Sequence, residues 1–301
     1  MAVHCRPAFR PLRDYRVMNN MLRDDITNIW TSVLSERGMP QFCTGVVELE
    51  FENFKSLLRG QPNDDIRKLV IELASGKVLF LKRALAKEVC SLIVARTKEF
   101  FECRAQSFHK MIDGAPNFHR VIDETVASNY AFYALKHSAY FFNWNNDDLG
   151  LREEIYQVWR PIKRFIGLGP RQYEKSIPSK GVVDRIQVCL YPKGKGVLET
   201  HVDPYHNQLT FISGYLSCRG YSGDYQHGGF YVLDESGARV DMETGIEVGD
   251  FAIGLATVKH GVSLIDPGSF SGWNRDGRWF LGLYSNDSDM VKARRTASAA
   301  V

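Results

Sequence analysis

Three side chains, His201, Asp203 and His260, constrain what this chain can fold into more than its composition does. Val197-Leu198-Glu199-Thr200 favours extended backbone and runs straight into His201-Val202-Asp203. Side chains two residues apart on a strand share a face, so His201 and Asp203 can grip one ion together. A second strand, lying across a sheet, can bring His260 to the same ion. Two imidazoles and one carboxylate on one face of an octahedron leave three positions open, the arrangement of a non-haem Fe(II) that activates O2.

The flanking residues read as a succession of strands. Residues 185–191 are β-rich and stop at Pro192 and the glycines that follow it. Further strands are expected over 208–216, over 228–233 behind a Gly-Gly pair, over 250–255 behind Gly249-Asp250, and over 277–284, where Arg278 opens an apolar run. Over about residues 184–289, this order of proximal pair, Gly-Gly strand, Gly-Asp strand, distal histidine and trailing arginine resembles the iron(II)/2-oxoglutarate-dependent oxygenases, among them the phytanoyl-CoA and prolyl-hydroxylase-like branches.

The resemblance implies that His201, Asp203 and His260 hold Fe(II), that 2-oxoglutarate chelates the iron, and that the far carboxylate of 2-oxoglutarate meets Arg278. A guanidinium offers a carboxylate a two-pronged fork that a lysine cannot reproduce. Two departures stand out. The segment 263–276 is longer than the family's usual turn and carries a rival, Arg275, and Phe280 occupies the place of a serine that many relatives use to share the carboxylate. Tyr191 is the natural replacement, or else an aromatic packing at a strand end; Gln187, on the same strand face, is a weaker candidate. With Asp203 intact, halogenation is disfavoured. The expected reaction is hydroxylation coupled to decarboxylation of 2-oxoglutarate to succinate and CO2; desaturation, epoxidation and ring closure would use the same ligands.

Substrate choice is expected from loops beside the ligands. Tyr205 and His206 follow the proximal pair, and 217–227 is a polar, tyrosine-rich loop carrying Arg219, Tyr221 and His227. These are either substrate-binding residues, with Arg219 as the anchor of a polar substrate, or solvent-exposed loop residues. The segment 140–148 either lines the substrate mouth or is core followed by a turn.

The chain has 301 residues, 44% of them hydrophobic, enough for one sizeable core and a helical layer. A formal charge of +3 makes no case for nucleic acid, no apolar run of about 18 residues suggests a membrane span, and the first residues lack a secretory signal. Six scattered cysteines suit a reducing compartment, so a cytoplasmic location is expected. Helices are expected over 24–36, 84–103, 121–140 and 151–165, the last broken at Pro161, with strands over 46–51 and 77–81. The expectation is a single oxygenase domain, mainly β: a double-stranded β-helix, the cupin-like jelly roll, over 181–290, supported by a mixed and helical region over 1–180 and followed by a flexible tail over 291–301. Its substrate is expected to be a small polar metabolite, an amino acid, sugar or secondary-metabolism intermediate. A protein-residue hydroxylase and a non-catalytic jelly-roll binding protein are the alternatives.

Overall fold

Helices dominate the first half of the chain and strands the second. The computed structural model describes residues 12–60, 64–204, 208–220 and 224–300, with side chains from residue 25 onward. Helix α1 (Leu12–Arg37) precedes strand β1 (Val46–Glu50), helices α2 (Phe51–Leu57) and α3 (Asp64–Ala74), strand β2 (Val78–Lys82) and helix α4 (Lys87–Cys103). Strand β3 (Phe118–Ile122), the short helix α5 (Glu124–Ala127), strand β4 (Ala134–Phe142) and helix α6 (Arg152–Phe165) follow. The remaining strands are β5 (Val182–Pro192), β6 (Val197–Val202), β7 (Thr210–Tyr215), β8 (Gly229–Leu233), β9 (Arg239–Asp241), β10 (Phe251–Leu255), β11 (His260–Ser263), β12 (Gly277–Asp287) and β13 (Ser298–Ala299).

Two sheets make up a jelly roll. The larger runs β1-β2-β10-β7-β12-β5-β4, and the smaller runs β6-β11-β8-β9. Strand β4 belongs to both: residues 137–142 pair with β5, whereas Ala134 and Leu135 pair with β6. Alternation along β5 separates the two faces of the larger sheet. Ile186, Val188 and Leu190 pack with the helical residues Trp30, Phe54 and Trp159, whereas Cys189 and Tyr191 join Leu198 and Val262 of the smaller sheet inside the roll. Trp30 Nε1 donates to the Phe165 carbonyl at 2.6 Å, tying α1 to α6. Buried Lys163 of α6 donates to Asp184 of β5, which also accepts from Tyr156 and Ser285 at 2.8 Å each. A buried ion pair fastened by further hydrogen bonds places the helix more than it stabilises it.

Local expectations fail in three places. Residues 121–140 are not one helix: β3 and β4 form an antiparallel pair there, with Phe118 opposite Tyr140 and Ile122 opposite Lys136. The edge of β5 takes up β4, and sheet pairing overrides a helical pattern that only one face would have used. Helix α6 continues unbroken to Phe165 through Pro161. The tail expected to be free is paired instead: Ser298 lies opposite Val202 and Ala299 opposite His201, along the half of the β6 edge that β4 leaves open. No helix among the described residues is long and apolar enough to cross a membrane.

Candidate metal and cosubstrate site

His201 is the penultimate residue of β6 and His260 opens β11, and antiparallel pairing sets them directly opposite one another. Asp203 follows β6 by one residue and is held there by its backbone N–H, which donates to the Ala256 carbonyl at 3.0 Å. His201 Nε2 lies 3.7 Å from one Asp203 oxygen and His260 Nε2 lies 3.9 Å from the other. The three candidate ligand atoms fall within 4.8 Å of one another. His201 Nδ1 is 3.0 Å from the Glu199 carbonyl and His260 Nδ1 is 2.8 Å from the Val258 carbonyl. These carbonyls accept from protonated Nδ1 and leave both Nε2 lone pairs for a metal. Burial, and then the neighbouring His260, hold His201 well below the ordinary imidazole range, so it is neutral and able to ligate. Phe132 stacks on His201 at 4.6 Å, and Phe211 packs on His260 at 4.8 Å, screening the rings from water. The donor set and its spacing fit a single Fe(II).

A cavity of about 420 Å³ opens between the sheets beside these ligands. Tyr191 and Arg278 face each other across β5 and β12 and line it, as do Gln187 and Phe280. Arg278 is 1% exposed. Its Nε donates to Glu243 Oε1 at 2.7 Å, while its Nη2 is buried without a hydrogen-bond partner among the described residues. An orphaned guanidinium nitrogen at the wall of a cavity has the chemistry of a carboxylate receptor. Burial pushes the Tyr191 phenol up to about 12, so at neutral pH it keeps its proton and can donate. Gln187 Nε2 is 3.2 Å from Cys189 Sγ and 3.4 Å from Ser138 Oγ, turned partly into the wall.

Glu243 has no counterpart in the sequence reading. Besides Arg278, it accepts from Tyr225 Oη at 2.5 Å and from the Phe230 backbone N–H at 2.6 Å. Gly229 makes room for it: at φ +121° a Cβ there would fall 2.4 Å from Glu243 Cγ. The Gly-Gly pair was visible in the sequence, but nothing in Met242-Glu243-Thr244 marked the acid that it accommodates. Lys136, Arg185, Tyr284 and the tail residues Arg294, Arg295, Thr296 and Ala297, which also line the cavity, were missed as well.

The loop residues expected to select substrate fare differently. Arg219 is spent on Asp241, on Thr244 at 3.2 Å and on the Gly228 carbonyl at 3.4 Å; it lines no part of the cavity and is not its anchor. His227 is exposed and also outside the cavity, its backbone N–H held by Asp266 at 2.6 Å. Asp241 holds the Arg219 side chain and Asp266 the His227 backbone N–H, and neither side chain reaches the cavity. Tyr205, His206 and Tyr221 lie outside the described residues. Arg275 is exposed and away from the cavity, whereas Arg278 lines it. Within 140–148, Tyr140 lines the cavity and the rest is strand end and turn.

In structure the chain is similar to 2OG-Fe(II) oxygenases. A Pseudomonas putida prolyl-4-hydroxylase shares 13% identity over 69% of this chain and 91% of that one, with a TM-score of 0.42. A Neurospora crassa protein crystallised with alpha-KG and thymine shares 14% over 85% and 88%, with a TM-score of 0.44. A Trichoplax adhaerens prolyl hydroxylase in complex with a hypoxia inducible factor peptide fragment shares 11% over 93% and 94%, with a TM-score of 0.43. No family model matches the chain, and no curated protein matches it in sequence.

Proposed function

We propose that this protein is an Fe(II)- and 2-oxoglutarate-dependent oxygenase that hydroxylates a small polar metabolite. The observation that carries this reading is the meeting, in one cavity, of the His201, Asp203 and His260 ligand atoms with the orphaned Nη2 of Arg278. Bound Fe(II), with 2-oxoglutarate and O2, supplies the oxidation: 2-oxoglutarate becomes succinate and CO2, and one oxygen atom enters a substrate C–H bond.

The chain's residues hold and aim these reactants. Arg278 Nη2 and the Tyr191 hydroxyl bind the far carboxylate of 2-oxoglutarate, and Glu243 keeps Arg278 turned toward the cavity through its Nε. Phe132, Phe211 and Phe230 keep the ligand imidazoles dry, which strengthens polar interactions at the site. Asp203, as an iron ligand, would hold the place that a halide needs, which favours hydroxylation. The cavity volume falls within the usual range for small-molecule sites, and tail residues 294–297 form part of its wall, which favours a metabolite over an extended peptide.

Supplied with Fe(II), 2-oxoglutarate and O2, the protein should release succinate even without substrate, at a slow uncoupled rate. His260→Ala should lose Fe(II) binding and succinate release while keeping its far-UV circular dichroism. Undiminished iron binding by that variant would remove His260 from the ligand set, and wild-type protein that binds iron and 2-oxoglutarate without turnover would be a binding protein.

A further inference from the structure

Five basic residues line the cavity, Lys136, Arg185, Arg278, Arg294 and Arg295, against one acid, the ligand Asp203. Two of the five are already neutralised from behind the wall: Arg278 by Glu243 and Arg294 by Asp289. Lys136, Arg185 and Arg295 have no ion pair among the described residues. A divalent metal, Asp203, the cosubstrate dianion and Lys136 balance one another, which leaves Arg185 and Arg295 in excess. Such unbalanced charge in a partly dry cavity favours an anion there.

Arg185 is the more highly organised of the two. Its guanidinium lies 4.6 Å from the Tyr284 ring and 5.7 Å from the Tyr140 ring, a contact that fixes the plane of the fork without using its in-plane N–H groups. Its Nε is buried and has no hydrogen-bond partner among the described residues. On β5 it stands six residues before Tyr191, roughly 20 Å along the strand at ~3.3 Å per residue. A 2-oxoglutarate anchored at Arg278 and Tyr191 therefore does not occupy it. It nonetheless lines the same cavity as His201, Asp203 and His260, as does its cross-strand partner Tyr284.

We infer that the substrate is an acidic small molecule whose carboxylate docks on Arg185, with Arg295 of the tail closing over it. This rests on the proposed function and deepens it. Arg185 thereby takes the anchoring role that the sequence suggested for Arg219: it fixes one end of the substrate, and the distance from that end to the metal selects the carbon that is oxidised.

The test uses protein loaded with Mn(II), a redox-silent stand-in for the iron, and with N-oxalylglycine, an unreactive analogue of 2-oxoglutarate. Benzoate and benzamide, alike in shape and different in charge, are then titrated by calorimetry. Benzoate should bind and benzamide should not; Arg185→Gln should weaken benzoate about tenfold or more, and Arg185→Lys should restore part of the loss. Equal binding of benzoate and benzamide, no binding of benzoate, or benzoate binding that excess N-oxalylglycine abolishes would each overturn the inference, and the wild-type comparison stands even if a variant does not fold. Failure to bind Mn(II) and N-oxalylglycine together would instead refute the parent reading, before benzoate is added.

Discussion

At the scale of single residues, the site is governed by compensation of buried charge. Arg278 is almost wholly enclosed, and a lone guanidinium there would carry a large desolvation penalty. Glu243 offsets it, yet leaves Nη2 free for a ligand. Glu243→Gln should therefore cost about 3–5 kcal/mol of stability, the range for breaking a buried pair. Saturating 2-oxoglutarate should return part of that loss, because its carboxylate supplies the missing charge. Urea unfolding with and without 2-oxoglutarate tests this; a variant that gains no more from 2-oxoglutarate than wild type would separate Glu243 from the cosubstrate site. Arg278→Met should weaken 2-oxoglutarate binding by about 2–5 kcal/mol, with Arg275→Ala close to wild type. The opposite ranking would move the anchor into the segment 263–276.

At the scale of elements, β6 is the strand on which the site depends, and both of its edges are occupied. One edge pairs with β11; the other is shared between β4 at Leu198 and β13 at His201 and Val202. A ligand strand with an unpaired edge would fray at the end that carries His201. Deleting residues 291–301 should raise amide hydrogen exchange over residues 200–203 several-fold. Thermal stability should change little, by about 1 kcal/mol or less, the scale of a few cross-strand pairs, since no described side chain in that segment is fully buried. Unchanged exchange over 200–203 would mean that the tail does not brace the ligand strand. Basic composition and a run of small residues make 291–301 look free in the sequence; the available edge of β6, which sequence does not display, is what captures it.

Taken as a whole, the molecule's stability should fall on the acid side for a reason remote from the metal. His137 is fully buried, stacks on Phe101 at 3.5 Å and exchanges hydrogen bonds with His119 at 2.9 Å and Asn274 at 2.5 Å. Burial, then the neighbouring His119, pull its pKa down to about 4 from the ordinary 6.5. Because the folded value lies below the unfolded one, its contribution is fully present above pH 6.5 and is lost as pH falls toward 4, by up to about 3 kcal/mol. His119, lowered mainly by burial, acts in the same direction. Unfolding free energies measured between pH 7.5 and 4 should show this decline, and His137→Gln should flatten it; a variant as steep as wild type would assign the slope elsewhere.

Much of the roll was legible from residue order alone. The strand-favouring runs at 185–191, 197–202, 210–215, 229–233, 251–255 and 277–284 are local signals, because β-branched, aromatic and aliphatic side chains between turn residues favour extended backbone wherever the strand is later placed. The shared face of His201 and Asp203 is local for the reason that side chains two apart on extended backbone point the same way, and that is why candidate metal ligands could be proposed from sequence. What lay beyond reach depends on which strands become neighbours. The pairing of β3 with β4, the approach of Glu243 to Arg278 past Gly229, the rings of Tyr140 and Tyr284 around Arg185, and the capture of the tail by β6 join residues far apart in the chain. No short window of sequence encodes such contacts. They exist because closing the two sheets buries charge and exposes one strand edge, and only the folded molecule determines which groups are at hand to neutralise the one and cover the other.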